Sequence, residues 1–180
     1  GRWLKAHPSR RDHIQLVSKC GIKPAMAERG WQVKHYDTSA AHITASVEAS
    51  LRHLGTDYLD LLLIHRPDPL LDADDVADTF RHLFEAGKVR HFGVSNFTPS
   101  QYALLASRFP LVTNQVEASL LHLDPLFDGT FDQCQQLRVR PMLWSPLAGG
   151  RLLDAAANPA LHAALQQVAG ERGVSVATVA

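Results

Sequence analysis

The sequence predicts an α/β fold built on a parallel sheet. Two observations carry this expectation. Apolar, β-branched-rich runs alternate with segments of helical period along the 180 residues, which is the pattern of repeated β-α-β units. The runs are also apolar along their whole bodies, as strands covered on both faces are.

In chain order, residues 1–7 read as the tail of a helix and residues 13–19 as the first strand. Thr38 and Ser39 are candidate caps for a helix along which Ile43, Val47, Leu51 and Leu54 recur, with Gly55 as its stop. A second strand covers residues 58–65. The next helix turns Val76, Phe80, Leu83 and Phe84 inward, gathers Asp72, Asp74, Asp75 and Asp78 near its positive end, and closes at Gly87. Those aspartates lack the D-x-D-x-D-G order of a calcium loop, and the helix dipole accounts for them, so no metal site is expected. A third strand at residues 89–95 runs into Thr98, Pro99 and Gln101, a capping box with proline at the first helical position. The turn at Asn96-Phe97 must therefore be very short.

Strands at residues 111–117 and 139–145 flank a helix at 130–137 with Phe131, Cys134 and Leu137 inward. Leu161, Leu165 and Val168 mark a further helix ending around Gly170 or Gly173, and Ser175 caps another. Five such strands do not close a barrel, so residues 1–180 are expected to form an internal segment of a larger fold.

Composition removes several classes of function. Eighteen basic and eighteen acidic residues cancel, so no global field points to nucleic acid or an anionic membrane. No apolar run approaches the ~20 residues of a membrane-spanning helix. Cys20 and Cys134 lie far apart without C-x-x-C spacing, which speaks against a disulfide scaffold or zinc ribbon and for the cytoplasm.

The strands end alike. Lys19, His65, Ser95 with Asn96, Gln115 with Glu117, and Trp144 with Ser145 place polar or aromatic groups at five carboxyl ends, the edge where parallel α/β folds hold ligands. Each has a plainer reading taken alone: a solvated lysine, a structural histidine, a helix cap, a core tryptophan. In register they point to one site, and Lys19, His65, Asn96, Gln115 and Trp144 are expected to share a rim. The usual nucleotide and hydrolase motifs are missing: there is no G-x-G-x-x-G after the first strand, no P-loop, no G-x-S-x-G and no H-E-x-x-H.

The segments D-L-L-L-I-H-R-P-D at 60–68, G-K-V-R-H-F-G-V-S-N-F at 87–97, N-Q-V-E at 114–117 and W-S-P-L-A-G-G at 144–150 together resemble the aldo-keto reductase family, closest to bacterial members of uncertain substrate. The resemblance runs through the whole chain. It implies a partial (β/α)8 barrel domain over residues 1–180 and NADPH, with NADH open, bound without a Rossmann motif. The activity it implies is reduction of a small-molecule aldehyde or ketone to the alcohol. Lys19 matches the lysine that makes a tyrosine the better acid, and His65 the histidine that orients the carbonyl oxygen. Ser95, Asn96 and Gln115 match positions that hold the nicotinamide amide, Trp144 the aromatic stacked on its ring, and Ser145, Leu147, Gly149 and Arg151 the loop around the pyrophosphate.

By the same pattern, the family's aspartate and tyrosine precede Gly1 and its adenosine pocket follows Ala180. Tyr36, Tyr58 and Tyr102 fall on a loop, at a strand start and on a helix. The expectation is a full-length monomeric reductase, with the segment alone inactive. The alternatives are a non-catalytic NADPH-binding regulatory subunit of the same fold, or an inert truncation.

Overall fold

A computed structural model describes the backbone of residues 1–180 and every side chain except that of Arg29. The chain divides into two compact units, Gly1–Asn114 and Gln115–Ala180. Among the described residues no helix is long and apolar enough to cross a membrane.

The first unit runs through α1 (Arg2–Ala6), a 3-10 helix (Pro8–His13), β1 (Val17–Cys20), β2 (Ile22–Lys23), β3 (His35–Tyr36), α2 (Ala40–Leu54), β4 (Leu59–Ile64), α3 (Ala73–Glu85), β5 (Val89–Ser95) and α4 (Pro99–Ala106). β4 pairs in parallel with β1, from Val17↔Leu61 to Cys20↔Ile64, and with β5, from Leu59↔Val89 to Ile64↔Val94. β2 and β3 form a separate antiparallel pair. Ile43, Val47 and Leu51, one turn apart on α2, are buried, as are Val76, Phe80 and Leu83 of α3. Phe80 stacks on Phe92 with centroids 4.2 Å apart, and Phe109 meets both edge-on. This aromatic cluster ties α3 to the sheet.

Caps set the helix ends. Ser39 Oγ accepts the His42 N–H at 3.3 Å, and Gly55 closes α2 in the left-handed region at φ 67°. Thr38 is not the cap; it is buried and donates to Asp68 Oδ2 at 3.4 Å. Asp72 caps α3 by accepting the Asp74 and Asp75 N–H groups. The capping box forms as expected: Thr98 Oγ1 accepts from Gln101 N at 3.3 Å, and Gln101 Oε1 from Thr98 N at 3.0 Å.

The second unit continues β6 (Asn114–Glu117), which opens on the last residue of the first, and carries a 3-10 turn (Asp124–Leu126), α5 (Thr130–Leu137) and β7 (Met142–Trp144). It ends with a kinked run (Ala148–Leu153), α6 (Pro159–Arg172) and α7 (Val176–Val179). β6 and β7 are parallel, pairing Gln115↔Met142 through Glu117↔Trp144.

Several expectations are corrected. The first strand begins at Val17 rather than residue 13, because side chains take its early backbone groups: Arg11 donates to the Ile14 carbonyl, and Asp60 accepts the Leu16 N–H. The strand expected from 139 starts at Met142, since the Val139 N–H closes α5 onto Cys134 and Pro141 has no N–H to offer. It stops at Trp144 because Ser145 turns to φ 52°. Residues 112 and 113 bond to β5 through Val112 N and Thr113 O, but regular strand begins at Asn114. Phe84 and Leu137, expected inward, are 55% and 47% exposed, and Val168 gives way to Ala169 as the buried residue after Leu165. The β2–β3 hairpin was not expected, and it places Tyr36 on a strand rather than a loop.

At the amino ends of the strands, Asp60 binds Arg11 at 2.8 Å, Arg90 at 3.4 Å and the Leu16 N–H at 2.9 Å. The two guanidinium groups lie 3.6 and 3.7 Å from the Tyr58 ring centroid. Burial pushes the Asp60 carboxyl up, but the Leu16 amide and the two arginines outweigh it and hold the group below its ordinary value. A depressed carboxyl pKa stabilises the fold at every pH above the unfolded value, and that contribution disappears as acid protonates the folded form. Asp60→Ala should therefore cost about 3 kcal/mol at neutral pH. In urea denaturation the gap to the parent should persist down to ~pH 4 and then close; a gap that does not vary with pH would refute the ionic contribution.

Candidate active site

In the first unit the sheet ends on the residues singled out above. Lys19 lies opposite Leu63 in the β1–β4 register. His65 follows β4 directly, its backbone N–H donating to the Cys20 carbonyl at 2.8 Å. Ser95 closes β5 and is fully buried. Asn96 then turns to φ 60°, a left-handed conformation that asparagine tolerates better than most residues. Its Nδ2 donates to the His65 carbonyl at 3.3 Å and to Ser95 Oγ at 2.8 Å. Lys19, His65, Ser95 and Asn96 thus come together at one rim.

The electrostatics of this rim are cationic. Burial lowers the His65 pKa, and Lys19, Arg66 and Lys34 push it the same way. The imidazole is therefore neutral at pH 7, with one N–H to donate and one bare nitrogen. Burial, then Arg66, also lowers the pKa of Lys19. Such a field favours negative charge developing on an oxygen placed there. Beneath the rim, burial pushes the Cys20 thiol up to about 12, which leaves it an inert packing group.

Sequence reasoning passed over Lys34 because the hairpin that presents it left no periodic signal. The hairpin is moored to the strand end: Asp37 N donates to the Gly21 carbonyl at 3.1 Å, and Asp37 pairs with Lys23. Burial works to raise the Asp37 carboxyl, yet hydrogen bonds from Lys23 and Ser39 hold it well below the usual carboxylate range. Arg66 was visible beside His65 but carried no weight there. Asn114 stood within the N-Q-V-E segment without a role of its own.

In the second unit Gln115 and Glu117 alternate with buried Val116, and Glu117 lies opposite half-buried Trp144. The chain then bends sharply, with positive φ at Ser145, Ala148, Gly149 and Gly150. At either glycine a Cβ would project into open space, so backbone conformation rather than crowding calls for glycine. Leu147 starts the turn by accepting the Gly150 N–H, and Arg151 Nε donates to the Ala148 carbonyl at 3.0 Å. Ser145, Leu147, Gly149 and Arg151 therefore share one loop.

Two of the tyrosines are committed elsewhere. Tyr58 donates to Asp12 at the opposite end of the strands, and Tyr102 to the Leu111 carbonyl.

The aldo/keto reductase family model matches residues 1–180. The chain belongs to this family. It is 60% identical over 156 residues to the oxidoreductase YdhF of Escherichia coli, covering 86% of this chain and 52% of that protein. It is 51% identical over 183 residues to a 6-dehydroglucose reductase of Agrobacterium fabrum, covering 100% of this chain and 61% of that protein. A thermostable aldo-keto reductase solved with the inhibitor epalrestat superposes with a TM-score of 0.79 at 27% identity, over 97% of this chain and 57% of that one. The chain thus spans about half to three-fifths of the length of these relatives, and its parallel α/β fold is that of a barrel-type reductase.

Proposed function

We infer that the full-length protein reduces an aldehyde or ketone to the alcohol with NADPH, as a cytoplasmic monomer. The observation that carries this reading is the meeting of Lys19, His65 and the left-handed Asn96 at one strand-end rim. The residues present fit the dinucleotide in kind. In the first unit Asn96, and in the second Gln115, each offer a side-chain amide that matches a carboxamide; Trp144 offers a flat ring, and Arg151, beside the Gly149–Gly150 bend, offers a cation for a pyrophosphate. When bound, the reduced nicotinamide would supply a hydride.

This chain's own residues would orient the carbonyl oxygen and tune its proton donor. His65 donates its N–H to the carbonyl oxygen and fixes it in place. Lys19, by its charge, favours the phenolate of a neighbouring tyrosine and so strengthens that group as the proton donor. Ser95 and Asn96 hold the carboxamide. One relative is named a 6-dehydroglucose reductase, so a polyhydroxylated aldehyde is the class to try first.

The test is turnover by the full-length protein with NADPH and with NADH, against simple aldehydes and 6-dehydroglucose, beside a fluorescence titration of each cofactor. Carbonyl-dependent oxidation of NADPH supports the reading. Tight NADPH binding without turnover would replace it with the regulatory-subunit alternative.

A further inference from the structure

Asn114 is 2% exposed and spends its amide on the backbone of a single residue. Its Nδ2 donates to the Phe97 carbonyl at 2.8 Å, and its Oδ1 accepts the Phe97 N–H at 3.4 Å. A side-chain amide that closes on both polar groups of one residue imitates a strand partner. Phe97 is buried and directly follows Asn96. Ladder bonds such as Val94 N to the Thr113 carbonyl hold the chain before this turn, and the capping box holds it from Thr98 onward. Between them lie Asn96, in its left-handed conformation, and Phe97.

We propose that Asn114 is a positioning residue of the reductase site, gripping Phe97 so that Asn96 keeps its left-handed turn and its bond to the His65 carbonyl. The proposal rests on the reductase reading. It explains why an amide stands here: aspartate would set a second acceptor against the Phe97 carbonyl, serine is too short to reach both groups, and leucine offers neither bond. A change at Asn114 reaches the nicotinamide end of the dinucleotide through Asn96 and the substrate oxygen through His65, although Asn114 itself need touch neither.

The test uses the full-length protein and its Asn114→Asp variant, assayed well below the melting temperature with folding checked by circular dichroism. NADPH and 2′-phospho-ADP-ribose, which lacks the nicotinamide, are titrated in parallel, and turnover is measured. A positioning role predicts an NADPH Kd raised about tenfold, turnover lowered about tenfold and an unchanged Kd for 2′-phospho-ADP-ribose. A merely structural role lowers the melting temperature and leaves the ratio of the two affinities as in the parent, which would overturn the proposal. If Asn114→Asp is recovered unfolded, Asn114→Ser removes the bonds without adding charge and is judged by the same ratio. A parent protein that neither binds NADPH nor turns over overturns both readings, whereas an active parent beside an unaltered Asn114→Asp variant overturns only this one.

Discussion

In the full-length protein, Lys19→Met lowers carbonyl-reduction turnover by about 100- to 10,000-fold, the span of general acid catalysis. The Kd for NADPH stays within about twofold of the parent, because the lysine acts toward the reacting oxygen and not toward the dinucleotide. His65→Ala follows the same division, with turnover falling and cofactor affinity held. The field around His65 adds a pH signature. Burial and three neighbouring cations lower its pKa, so its protonation should inhibit only at pH values below the ordinary histidine range. Steady-state kinetics carried from about pH 8 to below about pH 5, the lower edge of the range where histidine normally titrates, and fluorescence titration of NADPH read all three effects. A Lys19→Met enzyme with parental turnover would refute the assigned role.

The second large effect is on stability. Gly93 lies in the body of β5, where an added Cβ would come within 2.7 Å of the Thr113 carbonyl oxygen and 2.8 Å of Leu63 Cδ2. Backbone cannot yield to it without opening the sheet, so Gly93→Ala should destabilise by about 1–3 kcal/mol, and a larger residue by more. Gly170, inside α6, has nothing within 4 Å of the same position. Gly170→Ala should stabilise by roughly 0.5–1 kcal/mol through helix propensity. Urea midpoints moving in opposite directions would bear out both assignments, and a Gly93→Ala protein as stable as its parent would show that the close approach is relieved at little cost.

How much of this was legible in the sequence depended on whether a local signal agreed with its surroundings. β5 was read with its observed bounds, Val89–Ser95, and the α4 capping box with its observed partners, because periodicity and cap chemistry both lie within a few residues. The start of β1 was misread because side chains, the nearby Arg11 and the distant Asp60, took the backbone groups that a ladder would have used. Phe84 followed helical spacing yet faces solvent, since spacing gives a stripe but not its width. The hairpin was illegible for another reason: two strands of two residues each are too short to show alternation. At the site, Lys19, His65 and Asn96 were found from their places at strand ends. The left-handed turn and the Asn114 grip were not, because each depends on which backbone groups meet across the fold.

The Asp60 network also bears on how new specificities could arise on this scaffold. Arg11, Arg90 and Tyr58 gather on one carboxylate at the amino ends of the strands, whereas the hairpin carrying Lys34 rises from the carboxyl ends. A scaffold anchored at the far end tolerates extensive rewriting of the loops that meet the substrate. Libraries randomised within residues 24–34 should therefore yield mostly folded proteins with altered substrate preference, whereas libraries at Arg11, Tyr58 or Asp60 should mostly lose expression before any selection on activity begins.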